Sequence, residues 1–161
     1  MTISFCPLVR SRDPMLGFEL PPDVGERMHA GLVPALRTMA ERDAWIVRQW
    51  MMGDAPCEPN PNYDARLDLT LAAFDARDLL EELGFHVERR PVPLQQMTER
   101  VLAAIERHPN PSRAVPPRRA WRGSFVIRMG RSEGYLNRVL GRLLLLCEAA
   151  EDYGATHIGW A

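Results

Sequence analysis

Residues 132–160 carry the clearest structural signal in the sequence; they read SEGYLNRVLGRLLLLCEAAEDYGATHIGW. Ser132 is placed to cap a helix at its start, and Gly154 is placed to end it. Residues 156–160 then predict a strand. Between the two caps, apolar residues recur every three or four positions, the spacing of one helix face: Leu136, Val139, Leu140, Leu143, Cys147 and Ala150.

Another strand is predicted before this helix, within residues 121–129, where Phe125, Val126 and Ile127 are consecutive β-formers. The sequence therefore predicts the order strand, helix, strand for residues 121–160. If the two strands run parallel in one sheet, their connection should be right-handed. Together with the elements below, this predicts an α+β fold, with a small antiparallel or mixed sheet packed by three to four helices.

Two further helices are predicted from the spacing of apolar residues. One covers residues 94–105 and ends before Pro109; the other covers residues 74–83 and is stopped by Gly84. Residues 62–83 leave two interpretations open, because their leucines fit either one helix or a strand followed by a helix.

Proline-rich segments predict the irregular parts of the chain. Residues 1–22 contain four prolines and are expected to be irregular, and residues 109–119 are expected to form an exposed Pro/Arg-rich loop. Asp23 can cap a helix that starts at Val24, or the helix begins only at Val33. The chain of 161 residues is expected to form a single domain.

The formal net charge of −1 hides an uneven distribution, and all 20 basic residues are arginine. Residues 1–83 contain 8 arginines and 14 acidic residues, whereas residues 84–145 contain 12 arginines and 4 acidic residues. This division predicts one acidic and one basic face, unless the two stretches fold against each other and neutralise. A basic face is suited to an acidic protein or to a nucleic acid.

The basic stretch provides the candidate partner-binding residues. Trp121 stands among its arginines, and aromatic residues among arginines can stack on bases, which keeps RNA binding open. Trp160 is a core candidate that can alternatively anchor an interface, since tryptophan is enriched in binding hot spots. The candidate interface residues are Arg118, Arg119, Trp121, Arg122, Arg128, Arg131 and Trp160, and the acidic stretch from Asp75 to Glu82 is the alternative.

Catalytic and cofactor motifs are absent from the sequence. There is no nucleophile elbow, phosphate-binding glycine loop or helical metal-binding pair, so no metal or cofactor is expected. One enzymatic alternative remains: a strand predicted over residues 85–89 would carry His86, and the last strand carries His157. If these strands were neighbours, the two histidines could form a site with Cys147 or Asp152.

The C-terminal stretch resembles the RraB-like family, whose founding members inhibit ribonuclease E by binding it. The similar features are Ser132–Glu133, Leu136–Asn137, the long apolar helix, Tyr153 and Gly159–Trp160, with the earlier step Leu83–Val87. The resemblance implies a ferredoxin-like C-terminal β-α-β unit and a protein-binding role. The chain departs from the family in the basic region and the long segment before Phe125.

These features favour a non-enzymatic protein-binding inhibitor or regulator, either ribonuclease-regulator-like or immunity-protein-like, with a toxin or nuclease as its partner. The alternatives are an RNA-binding accessory domain and the enzyme described above. No signal peptide or membrane-spanning run is recognised, and the cysteines follow no zinc spacing, so a bacterial cytoplasmic location is expected. The sequence does not indicate the oligomeric state.

Overall fold

A computed structural model describes residues 2–13, 15–28, 31–32, 58–86, 91–115, 118–122, 124–128 and 130–160. Within these ranges the chain forms four α-helices: α1 (Val24–Arg27), α2 (Ala73–Glu82), α3 (Leu94–Arg107) and α4 (Tyr135–Asp152). The strands are β1 (Thr2–Arg10), β2 (Phe18–Glu19), β3 (Gly31–Leu32), β4 (Glu58–Pro59), β5 (Leu69–Ala72), β6 (Val92–Pro93), β7 (Arg118–Arg122), β8 (Ser124–Arg128) and β9 (His157–Trp160).

Strand β1 is the centre of a five-stranded antiparallel sheet, although residues 1–22 were predicted to be irregular. It pairs with β5 through Thr2–Phe5, with β9 through Phe5–Leu8 and with β2 through its last two residues. Pro7 lies opposite Ile158 of β9, but neither β5 nor β2 pairs with it, so the proline, which lacks an N–H, removes no hydrogen bond from the β5 and β2 ladders. Strand β1 therefore tolerates Pro7, one of the prolines that led to the prediction of irregular backbone over residues 1–22.

The core lies between this sheet and the helices α2, α3 and α4. Helix α4 contributes the largest apolar stripe, and it packs against both α3 and β1. The largest fully buried side chains include Trp160, Phe5, Leu80, Met97, Leu140 and Leu143. The predicted α+β class, with its antiparallel sheet and four helices, is confirmed.

The helices predicted over residues 74–83, 94–105 and 136–150 are confirmed as α2, α3 and α4. Residues 62–83 form a strand followed by a helix, because β5 ends where α2 begins. Gly84 and Gly154 end their helices with φ angles of 73° and 69°, in the left-handed region that glycine adopts without strain. Phe85 N–H then donates to the Leu80 carbonyl, as expected after such a glycine.

The C-terminal strand–helix–strand order is present, but its two strands lie in different sheets. Strand β8 pairs with β7 in a two-stranded hairpin, whereas β9 pairs with β1 and β6 in the main sheet, antiparallel to both. The predicted β-α-β unit with both strands in one sheet is therefore not formed. The strand predicted over 121–129 is instead divided between β7 and β8.

The N-terminal helix is short in the structure. Helix α1 covers four residues, and Asp23 precedes it with a φ angle of 65°, but the Asp23 side chain accepts no capping hydrogen bond. Phe85 and His86 lie in irregular backbone after α2, so they are not part of the strand predicted over 85–89. The helix predicted from Val33 and the rest of that strand, residues 87–89, fall outside the described residues.

Candidate functional site

The β7–β8 hairpin carries most of the predicted partner-binding arginines, and its backbone register assigns them to faces. Arg118 is directly opposite Arg128, and Arg122 is opposite Ser124. Residues two apart in a strand share a face, as do directly opposed residues. Arg118, Arg122 and Arg128 therefore share one face of the hairpin.

The opposite face of the hairpin has a different composition. Trp121 pairs with Phe125, and Arg119 pairs with Ile127, so these four residues share the second face. This register gives the first face three arginines together with Ala120, Ser124 and Val126, and gives the second face two aromatic residues, an isoleucine and one arginine. The two strands pair with each other as a separate two-stranded sheet.

The base of the hairpin is closed by a bridge between Val115 and Arg131, whose backbones exchange hydrogen bonds of 2.8 and 2.7 Å. The Arg131 side chain then reaches helix α2. Its guanidinium donates to Asp75 at 2.8 Å through Nε and to Asp78 at 2.5 Å through Nη2. Arg131 therefore fixes the base of the hairpin to α2, rather than facing outward as the predicted interface residue.

Tyr135 completes this contact. Its hydroxyl donates to the second carboxylate oxygen of Asp75 at 3.1 Å, and the Arg131 guanidinium lies 5.6 Å from the centre of its ring. Burial lowers the pKa of Arg131, but its hydrogen bonds to Asp75 and Asp78 outweigh that effect and raise the pKa overall. Burial and the negative charge of Asp75 raise the pKa of Tyr135.

The acidic helix α2 is largely neutralised from within the molecule. Beyond the Arg131 contacts, Glu82 accepts hydrogen bonds of 3.0 Å from Arg107 and from His108. The hydrogen bond with His108, followed by that with Arg107, lowers the pKa of Glu82 despite its partial burial. A cavity of about 190 Å³ separates α2 from α4 beside these residues. The acidic stretch is therefore a poor candidate for the main interface.

The proline-rich loop before the hairpin holds the N-terminus of α4. Ser112 Oγ accepts from the Leu136 N–H at 3.2 Å, and Asn137 accepts from the Ser112 N–H at 2.9 Å. The residue before the helix is Gly134, and Ser132 instead accepts from Arg138 at 2.5 Å. The prediction that Ser132 caps this helix is wrong, because Ser112 from the loop occupies that role.

Trp160 lies in the core. Its side chain is 2% exposed, and its ring lies 6.1 Å from that of Phe5 and 6.5 Å from that of Phe85. Of the two interpretations of this residue, the structure agrees with core packing. Trp160 is therefore not placed to anchor a surface interface.

The four residues of the hypothetical catalytic site are not brought together by any hydrogen bond or ion pair among themselves in the described part of the chain. His157 pairs in the sheet with Leu8 and Pro93, not with His86. Asp152 binds Arg66 at 2.8 Å. Burial lowers the pKa of His157, an effect that the charge of Arg10 reinforces.

Cys147 is also unsuited to nucleophilic chemistry. The residue is 2% exposed in the core, and burial raises the pKa of its thiol to about 11. Within the described ranges there is no group of three or more His, Cys, Asp or Glu residues arranged to hold a metal ion. Among the same residues, no helix has the length and apolar character needed to cross a membrane.

The sequence did not indicate which carboxylates Arg131 would meet, since Asp75 and Asp78 precede it by more than fifty residues. The only available signal was the opposite net charge of residues 1–83 and 84–145. That difference left open the possibility that the two stretches fold against each other and neutralise. Comparisons with protein-family models, with curated proteins and with solved structures found no match.

Proposed function

We propose that this protein is a non-enzymatic inhibitor or regulator that binds an acidic surface of a partner protein through the β7–β8 hairpin. One observation carries the proposal: the register places Arg118, Arg122 and Arg128 on a single face of that hairpin. Arg119 is on the opposite face, and Arg131 attaches the base of the hairpin to helix α2.

The arrangement of the three arginines favours an anionic partner. Like charges directly opposite each other in an antiparallel pair are destabilising, and Arg118 is opposite Arg128. A carboxylate between two guanidinium groups would offset this repulsion, and arginine binds carboxylates in a bidentate manner. Complementary charge of this kind mainly increases the rate of association and the specificity.

The partner we propose is a toxin or a nuclease in the bacterial cytoplasm. A ribonuclease regulator and an immunity protein would both use this charge complementarity. Cys6 and Cys147 are both unpaired thiols, in agreement with a reducing compartment. RNA is the competing ligand, because phosphate groups also attract an arginine face.

A pull-down with the tagged protein from its native lysate tests this proposal, performed with and without nuclease. The bait is compared with a hairpin variant, R118E/R122E/R128E, and with a control variant, R12E/R77E/R100E. The control changes the net charge equally at three exposed arginines outside the hairpin. Circular dichroism and thermal unfolding verify that both variants are folded.

We expect one stoichiometric protein that survives nuclease treatment, is retained by the control and is lost with the hairpin variant. Its recovery should fall as salt increases, because exposed charges are screened. Retention of the same protein by the hairpin variant would refute the proposed interface. Recovery of RNA, or of ribonucleoproteins that disappear with nuclease, would replace the proposal with the RNA-binding alternative.

A further inference from the structure

A groove of about 430 Å³ runs between strand β5 and helix α4. One wall is formed by residues 70–72 of β5, and the other by Tyr135, Arg138, Val139 and Arg142 of α4. The wall on α4 combines two cationic side chains with an aromatic and an aliphatic one. The groove therefore has the composition of a binding site for a chain with both charged and apolar groups.

The strand that forms the first wall has one edge that no described strand pairs with. Among the described strands, β5 pairs with β1 alone, and Thr70 and Ala72 are exposed. A strand at the edge of a sheet presents backbone N–H and C=O groups that can pair with another extended chain. Several recognition domains bind peptides by adding a strand in this way.

The two arginines of the second wall have no carboxylate partner within the described part of the chain. Arg138 donates to the Glu133 carbonyl at 2.9 Å and to the Ser132 hydroxyl at 2.5 Å. Arg142 donates to the main-chain carbonyl of Asp68. All three acceptors are neutral, and a guanidinium has five N–H donors, so both arginines retain donors for an anion.

Arg142 forms no ion pair with the carboxylate of Asp68, although it binds the backbone of that residue. The carboxylate of Asp68 accepts a hydrogen bond of 3.2 Å from the Tyr63 hydroxyl, while Arg142 donates to the main-chain carbonyl of Asp68. Arg131 and Arg66 differ from the groove arginines in this respect, because each is within 2.8 Å of carboxylates.

We infer that this groove binds an extended acidic peptide segment of a partner protein, which adds as a strand to the edge of β5. Arg138 and Arg142 are four residues apart, about 6 Å along the helix axis. Alternate side chains of an extended strand are about 6.6 Å apart and point to the same face. The two intervals are similar, and a segment in which every second residue is aspartate or glutamate would present carboxylates at this interval. This inference does not depend on the hairpin.

A labelled peptide of alternating threonine and glutamate is the probe, with alternating threonine–lysine and threonine–glutamine peptides as controls. Affinity is measured by fluorescence anisotropy, and contact with β5 by the NMR shifts of the Thr70, Leu71 and Ala72 amides. The protein variants are R138Q/R142Q and the matched control R12Q/R77Q, whose arginines are exposed outside the groove. Two further versions of the glutamate peptide are N-methylated, each along a different edge of the extended backbone, so that each lacks the N–H donors of that edge.

We expect the glutamate peptide to bind with shifts at the three β5 amides, and the R138Q/R142Q variant to bind about tenfold more weakly. The R12Q/R77Q variant and the hairpin variant of the previous section should bind as the wild type does. N-methylation should abolish binding along one backbone edge only, since one edge pairs with β5.

Three results would overturn the inference. Equal binding of the glutamate and lysine peptides would exclude the acidic ligand, and equal binding of both N-methylated peptides would exclude strand addition. Absence of any β5 shift at millimolar peptide would exclude the site. Because the hairpin variant retains the groove, loss of partner binding in the pull-down and loss of peptide binding here can be distinguished.

Discussion

Two pairs of arginines on this molecule have opposite surroundings. Arg131 and Arg66 each bind two carboxylates. Arg131 binds Asp75 and Asp78, both more than fifty residues away in the sequence, and Arg66 binds its neighbour Asp64 and the distant Asp152. Arg138 and Arg142, in helix α4, donate only to neutral oxygens among the described residues.

The comparison shows that the position of an arginine in a basic stretch does not determine its role. Arg131 belongs to the same stretch as the hairpin arginines, yet its guanidinium is used to connect two parts of the fold. An arginine that is bound to two carboxylates has little capacity for a further anion. The number of carboxylates within reach separates the structural arginines from those that can meet a partner.

The substitution R131A should produce the largest effect on stability. It removes charge-assisted hydrogen bonds to two carboxylates, Asp75 and Asp78, together with the positive charge that Arg131 places beside both, at a cost of about 2 kcal/mol. Urea unfolding of wild type and variant measures this difference. R131K should recover only part of it, because an ammonium group cannot reproduce the planar two-carboxylate geometry.

The variant R138A is the matched control for R131A. If both alanine variants lose the same stability, the distinction between the two pairs of arginines is wrong. A loss of less than about 0.5 kcal/mol with R131A would show that its carboxylate contacts behave as ordinary exposed ion pairs.

The second prediction concerns Asp64, whose pKa is lowered from 3.8 to about 2, chiefly by the hydrogen bonds from Arg66. A carboxyl group with a lower pKa in the folded state stabilises the fold above its unfolded pKa, near pH 4, and loses this contribution as the pH falls toward 2. After allowance for solvent screening, the contribution is about 1 kcal/mol.

The variant D64N tests this dependence. Asparagine removes the charge but can still accept the hydrogen bond that the Arg66 backbone N–H donates to the Asp64 side chain. We expect D64N to be less stable than wild type at pH 6, and the difference in unfolding free energy to vanish near pH 2. A difference that stays constant from pH 6 to pH 2 would contradict the role assigned to the ionised carboxylate.

The smallest effect is expected for R138Q/R142Q, the pair that binds neutral oxygens. Both side chains are exposed, and glutamine can still donate to a carbonyl, so the unfolding free energy should change by less than about 0.5 kcal/mol. Chemical denaturation measures it. A large loss of unfolding free energy would show that these arginines stabilise the fold as Arg131 does. Any loss of peptide binding by this variant would then be explained by misfolding.

The parts of the fold that local sequence determines were predictable. Helices α3 and α4 have strong apolar periodicity, and Gly84 and Gly154 supply the backbone angles that end α2 and α4. Each of these features depends on residues within a few positions of each other. The α+β class follows from them, without knowledge of any long-range contact.

The parts that depend on distant partners were not predictable from one sequence. Strand β1 contains Pro7, and only the strands that pair around it make this position acceptable. Arg131 acquires its role from two aspartates in a separate helix. The candidate arginines of the hairpin could be named from sequence, but their common face follows from the register of β7 on β8.

The bridge between Val115 and Arg131 has a consequence for how such a protein diversifies. The segment between them leaves and re-enters the fold at two residues whose backbones are hydrogen-bonded to each other. A short turn can join two such points at little cost in loop-closure entropy. The segment can therefore be replaced as a cassette while the sheet and the helices keep their packing, which would let one scaffold acquire new targets by exchange of about fifteen residues.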